Sequence, residues 1–302
     1  MLAPVVIFAY NRLDHLQKTI EALQKNILAP DTEVYIYSDA PKTESVREQV
    51  QKVREYLDTL SGFKNITIIK REKNYGLSAN IVDGVTNIIN EYGKVIVIED
   101  DIVTSPHFLS YMNQALEYFQ NELRVWHISG YCYPVDLSDV GDTFFLHLMD
   151  CWGWGTWFDR WKFFEKDLQK ILRLPRKEKK HFDLNGTGIF WDQVLLNYFN
   201  IIHNWDIYWY ATIYLHKGLC LHPSLSYVQN IGHDNSGVHC SSTNVFLVDR
   251  LNMSPNVSYP NEIEENPIAF ERISNFLKQN RTPFVKKLQK LVLILRKKFF
   301  KF

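Results

Sequence analysis

Three adjacent carboxylates directly follow an apolar run, and they are the strongest sign of chemistry in this chain. The run Lys94–Ile98 holds four apolar residues, and Glu99, Asp100 and Asp101 come next. The run predicts a strand buried on both faces, and open α/β sheets bind their ligands at the carboxyl ends of such strands. Because neighbouring carboxylates repel one another, we expect a cation at this position. A divalent ion that prefers oxygen ligands, Mn²⁺ or Mg²⁺, fits this chemistry.

The chain before these carboxylates alternates between strand and helix patterns. Strands are predicted at 5–9, 34–37, 66–69 and 94–98, and helices at 14–25, 44–60, 77–92 and 106–120. This alternation predicts a doubly wound, mostly parallel sheet flanked by helices. After residue 124 the regularity fades into an aromatic-rich region, in which we predict a strand at 126–129 and a helix at 192–200.

Two further strand ends carry side chains suited to an anionic ligand. Arg12 follows the first predicted strand and Asp39 follows the second. Because carboxyl ends of parallel strands meet at one edge of a sheet, we expect an anion near Arg12, a hydrogen-bonded base near Asp39 and a metal near Asp101. These positions together predict a pocket for a nucleotide diphosphate.

Composition and charge exclude several other classes of protein. The formal net charge is zero, so no overall field attracts nucleic acid. No apolar run reaches the length of a membrane span, and residues 1–10 lack the basic start of a signal peptide. The four cysteines form no CxxC pair, which favours reduced thiols over a disulfide scaffold. A zinc site is an alternative, although its spacing matches no ordinary zinc module: Cys220, His222, His239 and Cys240.

Several segments resemble the GT-A glycosyltransferases, over roughly residues 5 to 240. Residues 8–12 and 74–80 are similar to family 2 enzymes. Other segments are similar to the N-acetylglucosaminyltransferase I group: Glu99–Ile102 with Pro106 and Phe108, Gly153-Trp154, Phe190-Trp191-Asp192 and, loosely, Ser236–His239.

The resemblance implies a role for each matching residue. Asp192 is the expected general base, Asp101 the expected Mn²⁺ ligand, and Trp154 and Trp191 the expected acceptor or sugar contacts. The expected donor-binding residues are Arg12, Asp39, Asn80, Glu99, Asp100, Ser236 and His239. Asn80 departs from the family pattern, because the family has a histidine there.

Structural explanations exist for most of these residues. Asp39 can cap the turn before Pro41, and Asp192 can serve as a first-turn acid of a helix. Arg12 can be a surface residue, and His239 an ordinary loop histidine. The tryptophans of the segment 152–157 can form core, since their rings bury a large area. The basic run 173–180 is interpreted as a solvated face.

We therefore predict a GT-A type α/β fold and an inverting, metal-dependent glycosyltransferase. The donor is a nucleotide-diphosphate sugar, with UDP expected, and the acceptor is a glycan hydroxyl, lipid-linked in bacterial surface polysaccharide synthesis. Residues 1–125 form the nucleotide-sugar half, 126–280 the acceptor-binding and catalytic half of the same domain, and 281–302 a tail. The alternatives are a non-catalytic sugar- or nucleotide-binding module and a nucleotidyltransferase, although residues 4–15 lack the glycine of a phosphate loop.

The tail combines an apolar stripe with seven basic residues and no acid over 283–302. This pattern predicts an amphipathic helix that lies on an anionic membrane surface. We therefore expect a cytoplasmic protein bound peripherally to the inner face of the cell membrane. The alternative is a helix that packs on the domain.

Overall fold

The computed structural model describes residues 1–234 and 244–280. Its strands are β1 Val5–Ala9, β2 Glu33–Ser38, β3 Asn65–Lys70, β4 Lys94–Glu99, β5 Ile102–Thr104, β6 Val125–Ser129, β7 Thr143–Leu146, β8 Trp154–Trp157, β9 Leu219–Pro223 and β10 Val228–Asn230. Its helices are α1 Leu13–Gln24, α2 Arg47–Leu57, α3 Leu77–Tyr92, α4 Phe108–Tyr118, α5 Phe158–Trp161, α6 Gln169–Leu172, α7 Arg176–Phe182, α8 Ile189–Tyr198, α9 Asp206–Leu215 and α10 Pro267–Gln279.

An eight-stranded sheet in the order β3-β2-β1-β4-β8-β6-β9-β7 forms the centre of the described chain. The strands β3, β2, β1 and β4 pair in parallel. Strand β8 runs antiparallel to both of its neighbours, β4 and β6. The loop before β8 therefore arrives at the same edge of the sheet as the carboxyl ends of β1 to β4.

The apolar residues of the central strands are buried because both faces of the sheet are covered. The residues from Val95 to Ile98 are at most 1% exposed, as the sequence pattern predicts for a central strand. Helix α3 covers one face and ends at Gly93, whose φ of +75° is left-handed. The Gly93 N–H donates to the Ile89 carbonyl over 2.9 Å, which is a common way to close a helix.

The second half of the chain packs mainly through aromatic rings. Trp154 of β8 stacks on Trp205 with the ring centroids 5.2 Å apart, and Trp161 meets Trp209 edge-on at 4.9 Å. Residues 244–280 then return across this half, where the Tyr131 hydroxyl donates to the Phe246 carbonyl over 3.0 Å. Large rings thus fill the space that helices and sheet leave.

The predicted fold class, a mixed α/β domain with a mostly parallel sheet, is confirmed. Helix α8 begins at Ile189, three residues before the predicted start, and a short 3-10 turn, Glu44–Val46, precedes α2. The sequence patterns gave no prediction for β5, β7 to β10, α5 to α7, α9 or α10. The predicted tail 283–302 lies outside the described residues. Within 1–234 and 244–280, no helix has the length and apolar character needed to span a bilayer.

Candidate active site

The acidic turn after β4 is held from two sides. The Thr19 hydroxyl of α1 donates to the Asp100 carbonyl over 2.9 Å, and the Ile231 N–H donates to the Asp101 carbonyl over 2.9 Å. Asp100 and Asp101 are each only 5% exposed. The turn therefore has a backbone held at two points, and both aspartates are almost fully buried.

Arg12 is the cation that balances this turn. Its Nη2 donates to the Asp100 carboxylate and, over 2.9 Å, to Oδ2 of Asp101. Burial disfavours the charged guanidinium, but the charges of Asp100 and Asp101 outweigh that effect and raise the pKa of Arg12 above its usual value. The structure thus brings together three of the predicted site residues from two neighbouring strands, β1 and β4.

The carboxyl groups respond to burial in the opposite direction. Burial raises the pKa of Asp100 to about 6, although the nearby Arg12 charge acts to lower it. Burial, together with the charges of Asp101 and Asp100, raises the pKa of Glu99 well above its usual value. Additional positive charge at this turn would stabilise all three ionised carboxylates.

Gly232 lets the chain after β10 close over the acidic turn. A Cβ at this position would lie 2.1 Å from Oδ2 of Asp101 and 3.0 Å from Nη1 of Arg12. Such a contact is too short for any side chain without movement of the carboxylate. The segment that leads to residue 234 therefore forms one wall of the site, and the His15 Nε2 lies 3.1 Å from Oδ2 of Asp234.

The chemistry of this turn fits a divalent ion. Asp100 and Asp101 offer oxygen ligands, and a guanidinium bound to both shows that the position stabilises positive charge. Among the described residues, no group of three His, Cys, Asp or Glu side chains forms a complete metal site. An ion here would need further oxygen ligands from a bound phosphate or from water, which is usual for Mg²⁺.

Asp39 holds a distant turn of the chain. Its Oδ1 accepts from the N–H groups of Ala40 and Tyr75, and its Oδ2 accepts from the Asn74 side chain and the Gly76 N–H, all over 2.9–3.0 Å. A carboxylate has about four acceptor positions. These four hydrogen bonds therefore occupy the acceptor positions of Asp39. The bond from Ala40 fits the suggested cap of the turn before Pro41, whereas the other three bonds hold the turn 74–76. The hydrogen bond to a nucleobase stays a prediction.

Arg71, which the sequence analysis missed, lies beside Asp39 at the end of β3. Its Nε donates to Oδ1 of Asn80 over 3.0 Å, and its Nη2 donates to Asp83. Its Cζ lies 4.3 Å from the Tyr75 ring centroid and 4.7 Å from that of Tyr37. Asn80 is only 3% exposed, so the structure assigns its carbonyl oxygen to Arg71. The place of Arg71 two residues after the predicted strand 66–69 was the available signal.

A second group of carboxylates surrounds Cys151 in the loop before β8. Burial raises the pKa of Asp150 to about 7 and that of Asp206, at the start of α9, to about 6. Burial, with the charges of Asp206, Asp150 and Glu99, raises the pKa of the Cys151 thiol well above its usual value. The charges of these carboxylates therefore act on the Cys151 thiol. The reversed direction of β8, which the sequence did not show, brings Asp150 and Cys151 to this edge.

Asp192 lies in the first turn of α8 and is half-buried. Asp183 caps this helix, since its carboxylate accepts from the N–H groups of Gly188, Phe190 and Trp191 over 2.6, 3.1 and 3.0 Å. Asp183 is 5% exposed, and the sequence analysis missed it. Its three bonds fix the direction in which α8 leaves the preceding loop, and with it the position of Asp192.

The remaining predicted residues have separate locations. Trp154 is fully buried between His127 and Trp205, so the structure places it in the core and not on a sugar-binding surface. Trp191 is half-buried beside Lys179, whose Nζ lies 5.2 Å from the indole centroid. Ser236 and His239 lie outside the described residues.

A large, mostly parallel α/β sheet flanked by helices, with an acidic turn at its carboxyl edge, is consistent with the GT-A fold. The chain belongs to glycosyl transferase family 2, because the model of that family matches residues 5–195. The prediction that this chain is a glycosyltransferase similar to family 2 enzymes is confirmed.

Two solved structures of S. aureus TarS also match. TarS 1-349 is 13% identical with a TM-score of 0.44, and the match covers 76% of this chain and 60% of that chain. A second TarS structure is 16% identical with a TM-score of 0.31, and the match covers 42% of this chain and 21% of that chain. The match thus spans less than two thirds of either TarS chain. No curated protein matches this chain.

Proposed function

We propose that this glycosyltransferase moves a sugar from a nucleotide-diphosphate donor, UDP-linked, to a hydroxyl group of a glycan acceptor, with inversion at the anomeric carbon. The observation that carries the proposal is the contact of Arg12 with Asp100 and Asp101 at the carboxyl edge of β1 and β4. In the proposed reaction, Arg12 would supply a cation for phosphate oxygens, and its present partners Asp100 and Asp101 would supply carboxylates for a divalent ion. Membership of family 2 supports the use of a nucleotide sugar.

On the donor side, the chain has to stabilise charge on the leaving diphosphate. Asp101, with Asp100 beside it, would hold Mn²⁺ or Mg²⁺, which would neutralise negative charge on the leaving group. Arg12 would donate hydrogen bonds to phosphate oxygens, which are stronger when donor and acceptor are both charged. Glu99, half-buried at the end of β4, would face the donor sugar, and Asp39 would place the turn 74–76 beside the nucleobase.

On the acceptor side, one residue has to remove a proton from the attacking hydroxyl. Asp192 would accept this proton, and α8 would hold its carboxylate because Asp183 fixes the start of the helix. Attack from the side opposite the diphosphate gives inversion. Trp191 would contact the acceptor, whereas the buried Trp154 would only support the wall behind it.

The acceptor is proposed to be lipid-linked, in bacterial surface polysaccharide synthesis at the cytoplasmic face of the membrane. Support comes from the sequence of 283–302, whose basic and apolar residues suit an anionic bilayer surface. Ser236 and His239 are proposed to contact the diphosphate. A non-catalytic binding module of the same fold and a nucleotidyltransferase are the competing functions.

The test is a thermal-shift screen of UDP-, GDP-, CMP- and dTDP-sugars, each with and without Mn²⁺. A true donor should raise the melting temperature most, because ligand stabilisation grows with concentration over Kd. The best donor is then incubated with Mn²⁺, and release of its nucleotide is measured: a nucleoside diphosphate from UDP-, GDP- and dTDP-sugars, or CMP from CMP-sugars. Binding without turnover would support the binding module, and release of pyrophosphate from a nucleoside triphosphate would support the nucleotidyltransferase.

A further inference from the structure

Helix α8 carries apolar side chains on its solvent side. Tyr198 is 46% exposed and the next residue, Phe199, is 62% exposed. Trp191 and Leu195 are half-buried and lie at the spacing that continues the same stripe toward the start of the helix. The side of α8 that packs inward holds Val194 and Asn197. A surface helix ordinarily has polar residues on its outer face, so this stripe needs an explanation.

Helix α7 carries a set of cations on one face. Arg176, Lys179 and Lys180 are three and four residues apart, a spacing that places them on the same side of a helix. Arg176 and Lys180 are exposed. The opposite side of α7 is occupied, because Phe182 is fully buried and His181 lies 2.6 Å from the Glu265 carboxylate.

A direct contact joins the cationic face of α7 to the apolar stripe of α8. The Nζ of Lys179 lies 5.2 Å from the centre of the Trp191 ring. The cations therefore flank the stripe at its Trp191 end, and the exposed rings of Tyr198 and Phe199 lie two turns further along the same helix. We call this surface, formed by Arg176, Lys179, Lys180, Trp191, Leu195, Tyr198 and Phe199, the α7–α8 face.

We propose that the α7–α8 face docks on an anionic lipid bilayer, with the exposed rings of Tyr198 and Phe199 at the interface and the cations against lipid phosphates. Basic residues beside an apolar helical stripe are the composition that such surfaces bind. The inference deepens the membrane association proposed above, and rests on it, by adding a contact within the described domain to that of residues 283–302. It would bring the helix that carries Asp192 to the lipid surface.

The same charges argue against two other occupants. Residues 283–302 carry seven basic residues and no acid, so they would meet like charge on α7. In a symmetric dimer, the same patch of both copies would meet, so one interface would collect the cations of both copies without a matching set of acids. An anionic lipid surface complements both the charge and the apolar character.

The experiment measures sedimentation of the full-length protein with vesicles of phosphatidylcholine alone and of phosphatidylcholine with phosphatidylglycerol. We expect binding to the anionic vesicles that weakens with salt. The variant Tyr198→Ser/Phe199→Ser should lower the partition coefficient by about tenfold. The variant Arg176→Glu/Lys180→Glu should lower it by at least about tenfold on anionic vesicles, with no change on neutral ones.

Matched controls change residues of the same kind elsewhere. Tyr118→Ser/Leu123→Ser removes apolar side chains that are 66% and 70% exposed. Arg47→Glu/Lys52→Glu makes the same change of charge on α2. Both controls should bind vesicles within about twofold of the wild type, since neither pair belongs to the α7–α8 face.

Four outcomes would overturn the docking proposal. The first is the absence of wild-type binding to anionic vesicles, and the second is equal loss of binding in face and control variants. The third is a dimer, detected by light scattering, that the Tyr198→Ser/Phe199→Ser variant alone dissociates while its vesicle binding persists, and the fourth is unaltered vesicle binding in the face variants. The thermal shift with the donor sugar is measured for every variant. A preserved donor shift with unaltered vesicle binding would reject the docking surface and leave the proposed activity standing.

Discussion

The first half of the chain (residues 1–125) and the second half (126–280) hold their site residues by different means. In the first half, polar side chains bind one another, as when Arg12 bridges Asp100 and Asp101 and Asp39 accepts four hydrogen bonds. In the second half, stacked rings fill the core and one carboxylate, Asp183, caps the helix that bears Asp192. Hydrogen bonds and ion pairs therefore position the site residues of the first half, whereas the packing of aromatic rings positions those of the second.

This difference suggests a division of labour that mutations can test. Charged networks are suited to a ligand with fixed charge, such as a diphosphate. An aromatic wall beside a carboxylate such as that of Asp192 is suited to an acceptor that must be oriented and deprotonated. Replacement of the proposed base should have the largest effect of the tests below. The response of the second-half core to acid should be the smallest.

The variant Asp192→Asn should have the largest effect. The amide is nearly isosteric but cannot accept a proton at neutral pH, so kcat should fall by about 10²–10⁴-fold. Donor affinity, measured by calorimetry with Mn²⁺, should stay within about twofold if the second half serves only the acceptor step. Near-normal turnover would move the base to Glu99 or Asp150. Retention of the anomeric configuration by NMR would contradict the inverting mechanism.

The variant Asp101→Ala addresses the first half. Removal of this carboxylate should weaken metal-dependent donor binding by at least about tenfold, because changes even beyond the metal ligands commonly cost that much. The protein should stay folded, since Arg12 keeps its bond to Asp100. Calorimetry with and without Mn²⁺ measures the effect, and Asp58→Ala, at an exposed ion pair with Lys70, is the control. Unchanged metal dependence in Asp101→Ala would exclude this residue as the ligand.

The variant Asp39→Ala separates turn support from base recognition. It leaves the N–H donors of the turn 74–76 without their acceptor, and we expect the free energy of unfolding to fall by about 1–3 kcal/mol. Urea denaturation measures this change, and Asp58→Ala should cost less than about 1 kcal/mol because its partner is exposed. An unaltered unfolding free energy together with a large loss of UDP affinity would reverse the assignment in favour of the nucleobase contact.

The second-half core also contains buried neutral histidines, which predict a response to acid. Burial lowers the pKa of His222 to about 4. The unfolded chain, with a pKa near 6.5, binds the proton first, so this group's contribution to stability is complete above about pH 6.5 and is lost as the pH falls toward 4.

We therefore expect the difference in unfolding free energy between wild type and His222→Gln to fall by about 1.4 kcal/mol per pH unit over this window. Urea denaturation at pH 7, 6 and 5 gives the slope. The raised pKa values of Asp100, Asp150 and Asp206 act with the opposite sign, but they cancel in the difference between the two proteins. A difference that does not depend on pH would show that His222 titrates normally.

The two halves also differ in what their sequences allow one to predict. In the first half, runs of β-branched residues separated by amphipathic helices predicted every strand from β1 to β4, because burial on both faces leaves a clear pattern. The acidic turn and Arg12 followed from the rule that strand ends meet at one edge. The partners of Asp39 did not, since the turn that it holds lies 35 to 37 residues further along the chain.

In the second half, the strands are short and the sequence around them is rich in aromatic residues. Such residues are found both in cores and on ligand-binding surfaces, so their presence does not distinguish the two. The sequence therefore could not decide whether Trp154 contacts a sugar, and the structure places it in the core. The start of α8 was predicted three residues late, because its cap is Asp183, which lies outside the positions where local capping signals are sought. The roles predicted for individual site residues stay predictions.

The reversed strand β8 has a consequence for how the protein is made. Because β8 pairs with β4 across about 60 residues of chain, from Lys94 with Trp157 to Val97 with Trp154, a nascent chain that ends near residue 125 exposes one side of β4. Such an unpaired apolar edge is prone to associate with other chains until β8 emerges. Although the first half contains the whole acidic turn, we expect it to aggregate when it is produced as a separate fragment. A split version of this enzyme should keep β4 and β8 on the same fragment, and a circularly permuted version should not have its new ends between them.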